Sequence, residues 1–72
     1  MQFTGIMKNL DRLPSSRDGN PRWTWTIDGT RISTRPDSSL GYEVDNHQGR
    51  RVKVAAKLFR GLWRADNVEQ CK

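Results

Sequence analysis

Apolar and polar residues alternate with period two through much of the chain. In Arg22-Trp23-Thr24-Trp25-Thr26-Ile27, the residues Trp23, Trp25 and Ile27 interleave with Arg22, Thr24 and Thr26. Successive side chains on a strand point to opposite faces, so this run has one apolar and one polar face. All but Arg22 are β-branched or aromatic, types that suit a pleated, half-buried surface. Asp28-Gly29 follows at once, then Thr30-Arg31-Ile32-Ser33-Thr34-Arg35. An Asp-Gly pair between alternating runs marks a hairpin, because a type I′ turn needs positive φ at both central residues. Counting outward from it sets Ile27 opposite Thr30, Trp25 opposite Ile32 and Trp23 opposite Thr34. The apolar sets then share one face, and Arg22, Thr24, Thr26, Arg31, Ser33 and Arg35 share the other.

Pro36 ends the second strand, since it donates nothing to a ladder. Asp37 is placed to cap a short helix over residues 38–45, with Leu40 and Val44 on one face. Gly41 weakens that helix by ~1 kcal/mol relative to Ala. Residues 46–49 read as a loop. Alternation resumes at 51–58: Val52, Val54, Ala56 and Leu58 face one way, Arg51, Lys53, Ala55 and Lys57 the other. Arg60-Gly61 closes a second hairpin into residues 62–66, with Leu58 opposite Trp63, Ala56 opposite Ala65, and Phe59 and Leu62 at the tip. In the N-terminal run, Phe3, Ile6, Met7, Leu10 and Leu13 fit neither period. The preferred reading is one long strand bent at Gly5; a helix is the alternative.

The fold expected is mainly all-β: a small five-stranded antiparallel barrel, OB-like, with an SH3-like barrel as alternative and one short helix between strands 3 and 4. Its core would be Trp23, Trp25, Trp63, Ile27, Ile32, Val52 and Val54. One domain spans 1–72, with 68–72 as a frayed tail. A core this small leaves little net stability.

Composition then narrows the function. Of 72 residues, 13 are Lys or Arg and 8 Asp or Glu, a net charge of +5, and the pI is about 10.2. No stretch approaches the ~20 apolar residues of a membrane helix. Residues 1–13 show no apolar signal-peptide core, so neither a secretory signal nor a membrane partner is expected. The one cysteine, Cys71, has no internal partner for a disulfide, which fits a reducing compartment. Catalytic material is thin. His47, the lone histidine, falls in a polar loop and makes no triad or zinc set with Cys71. Asp37 and Asp45 read better as capping and solvated residues than as cation ligands. Gly19-Asn20-Pro21 is a turn, not a phosphate loop. A non-enzyme with neither metal nor cofactor is expected.

Two surfaces remain. Arg22, Arg31 and Arg35 lie on the polar face of the first hairpin, and Arg51, Lys53 and Lys57 on the strand after the loop, with Arg50 beside them. Arg17, Arg60 and Arg64 fall in or near turns. Strands two and three of an OB barrel commonly carry oligonucleotides, and the arginine fork suits phosphate, so nucleic acid is the first candidate partner. Against it, this face shows no aromatic platform, and a basic surface also serves solubility. The second candidate is another protein, or a second copy of this chain, held by Phe59, Arg60 and Leu62 at the apolar tip. The bland alternative folds Phe59 and Leu62 over the barrel mouth.

Four segments carry a resemblance: Arg12-Leu13-Pro14-Ser15-Ser16, Gly19-Asn20-Pro21-Arg22-Trp23, Asp28-Gly29-Thr30, and Arg35-Pro36-Asp37-Ser38 on to Asn46. They are similar to small proteins from phages of actinobacteria, over roughly residues 3–56. The resemblance implies a phage accessory protein made in the host bacterial cytoplasm, makes a host or phage protein the partner expected at the apolar tip, and brings no catalytic residues. Its motifs are mostly turn and cap chemistry.

Overall fold

The computed structural model describes every residue except Ser16, Asp18, Asp37 and Lys72. It is mainly β, with six strands: β1 (Gln2–Ile6), β2 (Lys8–Leu13), β3 (Arg22–Ile27), β4 (Thr30–Thr34), β5 (Arg51–Phe59) and β6 (Leu62–Gln70). They form one sheet in the order β1-β5-β6-β4-β3-β2. Every ladder is antiparallel except β4 with β6, which is parallel.

Both predicted hairpins are present in the predicted register. Asp28 and Gly29 have φ of 50° and 83°, and Arg60 and Gly61 have 51° and 79°. Positive φ at both central residues matches the twist of the strands they join. Ile27 pairs with Thr30 and Trp25 with Ile32. Ala56 pairs with Ala65 and Leu58 with Trp63.

The five-stranded antiparallel barrel, OB-like or SH3-like, is not what forms. The sheet is mixed, has six strands and stays open. The N-terminal run is two strands, broken at Met7, not one strand bent at Gly5. The buried Met7 receives a backbone bond from Gly49 and donates one to Arg50. These ties turn the chain, so β1 and β2 become opposite edges of the sheet. Gly5 has a different role: a Cβ there would stand 2.8 Å from Ile27 Cγ2, so its absence lets β1 pack against β3. That packing brings no ladder between them among the described residues, and the sheet does not close.

The expected helix over 38–45 is two 3-10 turns, Ser39–Tyr42 and Val44–His47. Ser38 Oγ accepts the N–H of Leu40 at 3.1 Å and caps the first. The cap expected at Asp37 lies outside the described residues. Leu40 and Val44 are both buried, as their spacing required. Gly41 lets this turn lie against Pro21: a Cβ on it would overlap the Pro21 carbonyl oxygen, while its own carbonyl accepts Trp23 Nε1–H at 2.8 Å.

The core gathers Met7, Trp25, Ile27, Ile32, Val44, Val52, Val54 and Val68 on the inner face. Trp23 and Trp63 are half-buried against it, and Trp63 meets Phe3 edge-on at 5.0 Å. Val68 shows that the expected frayed tail is strand as far as Gln70; Lys72 lies outside the described residues. Thr24, expected on the solvated face, is buried, and its hydroxyl donates to the Ile32 carbonyl at 3.1 Å.

Among the described residues no helix is long and apolar enough to cross a membrane.

Candidate nucleic-acid interface

Residues paired across a ladder share a face. The Arg60-Gly61 turn therefore sets Lys57 opposite Arg64, and Phe59 opposite Leu62, on the outer face away from the core. The parallel β4–β6 ladder puts Ser33 beside Arg64, and so carries Arg35 onto the same surface one step along. Past Ala65 the β5–β6 register slips: Ala56 pairs with Ala65 but Ala55 with Asn67. Asp66 is the extra residue of this bulge, and the bulge aims its carboxylate at Arg35 and Lys57.

These residues wall an open groove of about 580 Å³, lined by Arg35, Pro36, Lys57, Leu58, Phe59, Arg64 and Asp66. The Arg64 guanidinium carbon lies 4.4 Å from the Phe59 ring centroid, and that of Arg60 lies 5.4 Å away. Arg35 Nη1 donates to Asp66 Oδ1 at 2.9 Å, and Lys57 Nζ is 4.0 Å from Asp66 Oδ2. Among these lining residues three cations face one carboxylate, around a half-exposed aromatic ring. The groove thus attracts anions and offers a surface on which a flat ring can stack.

The structure splits the six predicted nucleic-acid residues. Arg35 and Lys57 line the groove. Arg31 lies on the same face of β4, one step nearer the β5–β6 tip. Arg51 and Lys53 are exposed at the opposite end of β5. Arg22 is half-buried, and its Nε is covered without a hydrogen-bond partner among the described residues. The predicted protein-binding residues Phe59, Arg60 and Leu62 sit at the tip: Phe59 is 48% and Leu62 56% exposed, and neither folds over the core. Phe59, predicted only for the protein-binding tip, also lines the groove beside Lys57. Phe59 thus supplies, from the β5–β6 side, the exposed ring that the polar face of the first hairpin lacks.

Arg64, Leu58 and Asp66 were missed as site residues. The signal for Arg64 was available: Leu58 opposite Trp63 already implies Lys57 opposite Arg64. For Asp66 no such signal exists, because its place depends on the bulge and on the parallel β4–β6 pairing. His47 and Cys71 are half-buried away from the groove lining. Among the described residues no three His, Cys, Asp or Glu side chains converge as metal ligands do.

In comparisons with known proteins, no family model, no curated protein and no solved structure matches the chain.

Proposed function

We propose that the chain is a non-enzymatic binding module that holds nucleic acid on the outer face of its sheet. The observation carrying this reading is the groove in which Arg35, Lys57 and Arg64 surround the exposed ring of Phe59. Guanidinium groups bind phosphate oxygens in pairs, and bases stack on aromatic and guanidinium planes. A net charge of +5 adds attraction over the whole surface. The resemblance to actinobacteriophage proteins would put the module in the cytoplasm of a bacterial host, as an accessory protein acting by contact.

A second reading rests on the tip. Leu58 and Leu62 are 58% and 56% exposed beside Phe59, an apolar patch of the kind that anchors a protein partner or a second copy.

Titration of labelled oligonucleotides at several salt concentrations tests the first reading. Contact with about three phosphates gives a slope near −2 in log K against log salt for a single strand, at about −0.7 per contact. Absence of binding at low salt removes the first reading, and a host protein still retained after nuclease treatment would then favour the second.

A further inference from the structure

We infer that the groove is a subsite for one unpaired nucleotide, with the base on Phe59 and a backbone phosphate taking the place that Asp66 holds in the free protein. This rests on the nucleic-acid reading above and adds the substrate class and the means of selection.

Asp66 presents its two carboxylate oxygens to two different cations: Oδ1 to Arg35 at 2.9 Å and Oδ2 to Lys57 at 4.0 Å. A phosphodiester also presents two anionic oxygens, so it can replace this carboxylate without either cation moving far. Arg35 lines the groove wall together with Lys57. Next to these cations is the Phe59 ring, about half exposed. Its two arginines are not equivalent. Arg64 is half-buried at 4.4 Å, whereas Arg60 is exposed on the turn at 5.4 Å. A base entering the groove displaces the looser Arg60 and stacks on the ring that Arg64 still supports.

A paired base has its faces covered by its neighbours in the duplex and does not reach a ring set in a groove; an unpaired base does. Phosphate contacts alone do not distinguish the two forms. Phe59 therefore carries the preference for single strands, and Asp66 sets the threshold that any phosphate must overcome.

The test compares four proteins: wild type, Phe59→Leu, Asp66→Asn and Lys53→Ala, the last lying on β5 outside the groove. Each is titrated with a labelled single strand, a strand of the same length made entirely of abasic sites, and a duplex. Far-ultraviolet circular dichroism and a cooperative urea transition confirm that each variant folds. In wild type the single strand binds more tightly than the abasic strand. Phe59→Leu weakens single-strand binding by about 5- to 150-fold, the range that one stacked base contributes, and leaves the abasic strand unchanged. Asp66→Asn tightens both by about 2- to 5-fold, the scale of one exposed ion pair. Lys53→Ala keeps the preference for bases. If wild type binds abasic and base-bearing strands equally, or Phe59→Leu leaves their difference intact, the nucleotide subsite is wrong while the nucleic-acid reading stands. If no strand binds, both fall, and the exposed tip is left to a protein partner.

Discussion

Gly41 is where a single residue constrains this fold most tightly. Its carbonyl receives the Trp23 indole N–H, and the missing side chain leaves room for the Pro21 carbonyl. A helical reading of residues 38–45 predicts that Gly41→Ala stabilises the protein by about 1 kcal/mol. The structure predicts the opposite sign: the added methyl forces the turn away from Pro21 and costs about 1–3 kcal/mol. Urea denaturation of the one variant decides between them. Residues whose role is set by neighbours in sequence were legible: Trp25, Ile27 and Ile32 are buried because they alternate beside a turn that fixes their register. The role of Gly41 was not, because Pro21 lies far back along the chain and leaves no mark on residues 38–45.

At the scale of elements, the same distinction separates the two hairpins from β6. Asp28-Gly29 and Arg60-Gly61 set their own registers, and with them the row that joins Lys57 to Arg64. Beyond Ala65, however, Asp66 and Asn67 both precede the next buried residue, Val68. The bulge inserts one residue, the period-two pattern breaks, and the segment reads as a tail although its ladder continues to Gln70. The break at Met7 hid the division between β1 and β2 in the same way. Val68→Ala distinguishes strand from tail. In a frayed end the change is silent; in a strand whose valine pairs with Val54 inside the core it costs about 1–3 kcal/mol, read as a lower urea midpoint with an unchanged slope.

For the molecule as a whole, the sheet order depends on the path of residues 35–50, which returns the chain so that β6 lies parallel to β4. No local pattern encodes that path, so the closed barrel was expected and the meeting of Arg35 with Asp66 was not. The result is a surface in tension. Lys57 and Arg64 are like charges directly opposite each other, Arg35 is close by, and Asp66 is the carboxylate among them. Two exposed ion pairs to one carboxylate contribute up to about 1 kcal/mol to the fold, and the same carboxylate competes with any bound phosphate. Stability and binding therefore respond to Asp66 with opposite signs. Asp66→Asn lowers the urea midpoint at low salt while it raises affinity for a single strand. The loss of stability should shrink as salt is raised, since the screening length falls from about 10 Å at 0.1 M to about 3 Å at 1 M. Were Asp66→Asn to leave both stability and affinity unchanged at low salt, Asp66 would neither stabilise the fold through the cations around it nor compete with a bound phosphate.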